Sequence, residues 1–186
     1  MRRFLALLTV VFLISGCNHS QEEMNSAIAL RQRLLNSKGC HFQCEVTADY
    51  EDVLYTFTLD CNTDDQGNLD FCVVQPQSIA GITGNISAHG GKLTFDDKAI
   101  GFPLLSEGLL SPLSAPWLLI QGLRNGYISA CTQSGSGLYL SISDSYEDDA
   151  VQMDLWTDSE SNPHKCEFIW KGRRILSISI LSFSYM

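Results

Sequence analysis

The chain holds 186 residues, 45% hydrophobic and 10% aromatic. That is enough for the core of one domain of the usual size, about 100–150 residues or slightly more, and too apolar for wholesale disorder. Twelve Lys and Arg stand against 21 Asp and Glu, a net charge of -9, so the chain repels phosphate backbones and anionic headgroups and is not expected to bind nucleic acid.

The first elements are a targeting segment and an anchor. Met1-Arg2-Arg3 is a basic start, and Phe4 to Ile14 is apolar apart from Thr9. This run is too short to span a bilayer as a helix, which takes about 20 residues, and suits the apolar region of a signal peptide. Ile14-Ser15-Gly16-Cys17 resembles the bacterial lipobox, an aliphatic residue and two small ones before a cysteine. The resemblance implies that residues 1–16 are removed and that the Cys17 thiol carries a diacylglyceryl group. Loss of Arg2 and Arg3 would take the charge to -11. The expected address is a cell membrane, lipid-anchored on its extracytoplasmic face, with an outer membrane possible in a two-membrane cell. The plainer reading of Cys17 is a chance cysteine after an ordinary signal peptide.

Residues 17–22 form a short polar tether, and a single domain is expected over 23–186. Ser20 and Glu23 fit a capping box, with Ser20 as N-cap. Met24, Ala27, Ile28, Leu30, Leu34 and Leu35 recur at helical spacing, and Arg31, Arg33 and Lys38 suit the negative end of the helix dipole. Gly39 then supplies a positive-φ stop.

From His41 the period becomes two. Phe42, Cys44, Val46 and Ala48 alternate with polar residues, as do Tyr55, Phe57, Leu59 and Cys61, so two half-buried strands joined near Glu51-Asp52 are expected. Asp65-Gln66-Gly67 fits a three-residue hairpin loop with Gly67 left-handed, which sets Cys61 opposite Phe71 and Leu59 opposite Val73. Cys72 then points outward beside Asp70. Ile82–Ala88 and Lys92–Asp96 read as strands around a His89-Gly90-Gly91 turn, with Ala99–Phe102 next. Ser111 to Pro116 is a bent approach to a short apolar helix over Trp117–Leu123, closed by Asn125-Gly126. Strands follow at Tyr127–Gln133, Leu138–Ser143, Ala150–Asp158, Lys165–Trp170 and Arg174–Phe183. The fold class is α+β, mainly antiparallel β.

This order of helix, meander, helical insertion and second meander resembles the lipoprotein-carrier superfamily typified by LolA and LolB, and uncharacterised lipoproteins of Gram-positive anaerobes. Pro76–Ile82, Gly91–Phe95, Ser111–Trp117 and Gly172–Leu176 carry the likeness. It implies a curved, unclosed half-barrel sheet with two helices on its concave face, and an interior that accepts acyl chains. An anchored member would receive, hand over or sense its ligand beside the membrane.

Motifs for catalysis are wanting. Ser136 has glycine on each side but not at the offsets of a nucleophile elbow. The carboxylate pairs lie in turns, without an apolar pocket to raise one pKa, and no glycine-rich turn links a strand to a helix as a phosphate cradle. The chain is therefore read as no enzyme and without a cofactor. Asn62–Gly67 resembles the start of a calcium loop, but Val73 stands where the closing glutamate belongs, so a hairpin turn is the better reading. Asp144–Asp149 gathers four carboxylates, read as a solvated loop rather than a cation site.

Six cysteines remain after Cys17: Cys40, Cys44, Cys61, Cys72, Cys131 and Cys166. Cys40 and Cys44 share a strand face but stand about 13 Å apart at ~3.3 Å per residue. Buried free thiols and one or more disulfides both remain open. A zinc site is not expected, because His41 and His164 are isolated.

What is left is apolar surface. Phe42, Tyr55, Phe57, Phe71, Phe95, Phe102, Trp117 and Leu118, with Ile120 and Leu123, are expected to converge where the helices cover the sheet. They form either a closed core or a cleft for an acyl chain or apolar peptide, with Pro103–Pro116 as its lip. The expected partners are the membrane, through the anchor, and a lipid or another envelope protein. The alternative function is a lipoprotein that docks a protein at a sheet edge and regulates or scaffolds an envelope enzyme.

Overall fold

A computed structural model describes residues 21–49, 54–102, 105–106, 109–147 and 150–186. Helix α1 covers residues 21–36 and is followed by β1 (Cys40–Asp49), β2 (Leu54–Thr63), β3 (Leu69–Gln75), β4 (Thr83–Ser87), β5 (Gly90–Phe95) and β6 (Lys98–Phe102). The two-residue strands β7 (Leu105–Ser106) and β8 (Leu109–Leu110) pair with each other. A 3-10 turn at Pro112–Ser114 leads into α2 (Ala115–Asn125). The second meander is β9 (Tyr127–Ser134), β10 (Gly137–Ser143), β11 (Gln152–Thr157), β12 (Pro163–Trp170) and β13 (Arg173–Tyr185).

Among the described residues, eleven strands make one antiparallel sheet in the order β6-β5-β4-β3-β2-β1-β13-β12-β11-β10-β9. The first and last strands in that order, β6 and β9, do not pair, so the sheet is unclosed. The chain's two meanders meet where β1 pairs with β13, and α2 lies on the connection between the two outer edges. The fold is α+β, mainly antiparallel, with two helices, as the sequence pattern predicts.

Alternation sets the covered face. On β1 the residues Cys40, Phe42, Cys44, Val46 and Ala48 are all fully buried, and Leu59, Leu69, Leu155, Cys166 and Ile178 continue the same layer on other strands. Ala27, Leu30 and Leu34 of α1 and Leu119, Ile120 and Leu123 of α2 close over it. The β2–β3 register is the one expected, Cys61 opposite Phe71 and Leu59 opposite Val73. It is fixed by the loop, where Gly67 takes φ +81° and Asp64 ties the turn. Asp64 Oδ1 accepts the Gln66 and Asn68 backbone N–H groups at 2.9 and 2.8 Å. Slight burial would raise this carboxyl's pKa, but the hydrogen bonds from Asn68, Gln66 and Gly67 outweigh it and hold it below the ordinary value.

Several local features differ from the sequence expectation. The β4–β5 turn is Ala88-His89, with Ser87 paired to Gly90, so Gly90 and Gly91 belong to β5. Gly91 has to be small because the Phe102 ring lies across it: an added Cβ would sit 2.2 Å from Phe102 Cζ. The β5–β6 turn is Asp96-Asp97, both at positive φ. Helix α2 is longer than the expected Trp117–Leu123, because the bent approach continues directly into its first turn. The Glu23 carboxylate accepts the Gln133 backbone N–H at 2.8 Å, tying α1 to β9. Ser20, the Glu51-Asp52 turn and Cys17 lie outside the described residues.

Candidate functional site

The sequence-selected apolar residues do not converge on one cleft. Phe42 is in the closed core, stacked 5.7 Å from Phe183. Phe57 and Phe71 are core residues as well, and the Phe71 ring covers Gly84 on the next strand, where an added Cβ would meet Cζ at 2.4 Å. Phe102 covers Gly91 in the same way. These rings fill the space that a cross-strand glycine leaves, which accounts for their inward direction without a ligand. Tyr55 and Phe95 are 53% and 59% exposed, near the ends of β2 and β5. Trp117 is half-buried, its indole N–H without a partner among the described residues.

Of the eight, Leu118 lines an open apolar space against α2. A cavity of about 150 Å³ lies between α2 and strands β10, β11 and β12. Leu118 and Gly122 form its roof, Ile142, Met153 and Phe168 its floor, and Val151 one side. Gly122 brings α2 close to the sheet, since a Cβ there would fall 2.6 Å from Met153 Cε. Its rim is polar, with Gln121, Asn125, Ser143 and Asp144.

The rim leads into a second, wider hollow of about 590 Å³, sharing Asn125, Gly126 and Asp144 with the cavity. Arg31, Tyr127, Tyr146 and Glu147 line it. Helix α1 places Arg31 there: Nε donates to the Leu123 carbonyl and Nη2 to the Gly126 carbonyl, each at 2.6 Å. Those bonds satisfy the C-terminal carbonyls of α2 and put a positive charge at the negative end of its dipole. Partial burial lowers the guanidinium pKa from its ordinary value.

Sequence reasoning missed most of this site. Gly122 inside an apolar helix was the available signal, because an interior helical glycine costs about 1 kcal/mol relative to alanine and marks a close approach. Nothing in the spacing of Ile142, Met153 and Phe168 distinguishes a cavity floor from a filled core.

Several solved structures align with most of the chain at low sequence identity. A LolA superfamily protein from Nitrosomonas europaea is 10% identical, with a TM-score of 0.45 over 86% of this chain and 93% of that one. An uncharacterized conserved protein from Thermus thermophilus gives 12% identity and a TM-score of 0.49 over 87% and 88%. The Mycobacterium tuberculosis lipoprotein LppX gives 10% and 0.41 over 87% and 93%. No protein-family model matches the sequence, nor does any curated protein. At these scores no role passes from any of them to this chain.

The thiols offer little chemistry. All six described cysteines are free and five are buried. Burial pushes the Cys40 thiol up to about 11, although its contact with Thr63 and the charge of Arg124 pull the other way. The Cys61 and Cys166 thiols are also raised well above the ordinary value, chiefly by burial, and a buried thiol kept protonated is a poor nucleophile and metal ligand. Among the described residues no three His, Cys, Asp or Glu side chains come together to hold a metal ion, and no helix is long and apolar enough to cross a membrane.

Proposed function

We propose that this chain is a lipid-anchored, extracytoplasmic, non-enzymatic binding protein that holds an acyl chain in the cavity beneath α2. The observation that carries the reading is that cavity itself. It is apolar, roofed by a helix and floored by Ile142, Met153 and Phe168, with its polar groups confined to the rim. Ligand sites have this build, apolar walls with a few polar groups that fix orientation. At about 150 Å³ it is the size of an engineered apolar cavity that takes benzene, so it accommodates the end of one chain as it stands. A longer chain lies with its head in the adjoining hollow or displaces α2. The anchor rests on Ile14-Ser15-Gly16-Cys17, whose cysteine would keep the domain beside the bilayer.

A fluorescent C12 fatty-acid analogue tests the site. The protein is expected to bind it, and Gly122→Leu, which sends a side chain into the cavity, should weaken binding at least tenfold while leaving the circular dichroism spectrum unchanged. Equal binding by the folded variant would place the acyl chain elsewhere. For the anchor, Cys17→Ser should release the protein from membrane fractions and remove the acyl mass increment.

The second reading, a lipoprotein that docks a protein, is favoured by the open edge strand β6, where Ile100 is 68% exposed. It predicts that saturating acyl probes leave the protein unoccupied.

A further inference from the structure

The hollow outside the cavity has a charge pattern of its own. Its inner wall carries Arg31, whose Nε and Nη2 are committed to the carbonyls of Leu123 and Gly126. Among the described residues Arg31 has no carboxylate within ion-pair distance, and its Nη1 has no partner. Among the described residues this guanidinium is therefore bonded to carbonyls alone, on a chain carrying -9. The outer wall is the opposite. Tyr127 and Tyr146 pack ring to ring, centroids 5.0 Å apart, and are 51% and 85% exposed. Asp144 and Glu147 stand with them on the same hollow.

Each wall suits a different charge. Arg31 offers an N–H and a positive field to a phosphate oxygen. The tyrosine faces and two carboxylates offer a site for an ammonium group, which aromatic rings attract through their quadrupole. The floor of the hollow is continuous with the rim of the apolar cavity through Asn125 and Gly126.

Resting on the acyl-binding reading, we propose that the ligand is a single-chain amphiphile with a zwitterionic phospho-ammonium head. Its tail enters the cavity beneath α2, its phosphate meets Arg31, and its ammonium meets Tyr127, Tyr146 and Glu147. A purely anionic head would set its charge against Asp144 and Glu147, and a purely cationic head against Arg31. A neutral sugar head would use neither wall.

Four probes with the same C12 tail and different heads, titrated calorimetrically below their micelle concentrations, separate these cases: dodecylphosphocholine, dodecyl maltoside, dodecanoate and dodecyltrimethylammonium. Dodecylphosphocholine is expected to bind at least tenfold tighter than each of the others. Tyr146→Ala, at an exposed position, should remove most of that preference while leaving dodecyl maltoside binding unchanged. Arg31→Lys keeps a charge and should retain part of the preference. Equal affinity for all four heads, or tightest binding of any head but the zwitterion, would overturn the headgroup assignment and leave the tail cavity standing. Failure of every probe to bind would overturn the cavity reading and this assignment with it.

Discussion

The two meanders are built from the same alternating strands but are covered differently. The C-terminal meander lies beneath both helices: Glu23 ties α1 to β9, Arg33 of α1 reaches the Glu160 and Ser161 carbonyls in the β11–β12 loop, and the Arg33 guanidinium lies 4.4 Å from the centre of the Tyr185 ring. Leu140, Ile142, Leu155, Cys166 and Phe168 are buried there. In the N-terminal meander burial fades outward from β1. On β4 only Ile86 is fully buried, β5 has no buried residue, and Ile100 and Phe95 on the outer strands are exposed. Alternation tells which side of a strand faces inward, while a covering helix decides whether that side is dry.

The widest test of this contrast is truncation of rings and branched chains on the two halves. Phe168→Ala and Phe42→Ala each remove a buried ring and should cost about 3–5 kcal/mol in urea denaturation. Ile100→Ala and Phe95→Ala should stay within about 0.5 kcal/mol. Similar losses at all four positions would mean that β5 and β6 are covered after all.

Packing at the thin edge can be probed next. Gly91→Ala forces the Phe102 ring away and should destabilise by about 1–3 kcal/mol, as overpacking does. Phe102→Ala in the same chain should relieve most of that increment, so the double mutant measures whether ring and glycine act as a pair.

A smaller effect belongs to the β2–β3 turn. Asp64→Ala removes three accepted hydrogen bonds from an exposed turn and should cost about 1 kcal/mol, lowering Tm by roughly 2–4 °C for a chain of this size. The folded carboxyl titrates below its unfolded value of about 3.9. Its contribution is therefore complete above that unfolded value and drains away as pH falls through the folded one. The gap between wild type and variant should be constant from pH 5 to 7 and narrow below about pH 4.

How much of this was readable in advance follows from the same contrast. The Cys61–Phe71 register was legible because Gly67 can take a positive φ where Asp65 and Gln66 close a short loop. The β4–β5 turn was misplaced because Gly90 and Gly91 look like turn residues, when Gly91 is small in order to lie under Phe102. The eight apolar residues chosen from the sequence share alternation and bulk, but not a neighbourhood. Phe42 sits at the centre of the sheet, Phe95 beside a hairpin tip, and Leu118 over the cavity. By position Arg31 suits the dipole of its own helix, but its bonds go to the end of α2, a contact 92 and 95 residues away in sequence. Contacts between elements so far apart leave no periodic trace.

The central claim is that the apolar cavity beneath α2 takes an acyl chain. Native mass spectrometry of the full chain mixed with dodecylphosphocholine measures this most directly. The account predicts one tightly held amphiphile per protein, absent from Gly122→Leu. A protein that stays bare at saturating amphiphile, or a variant that carries the same single adduct, would contradict it.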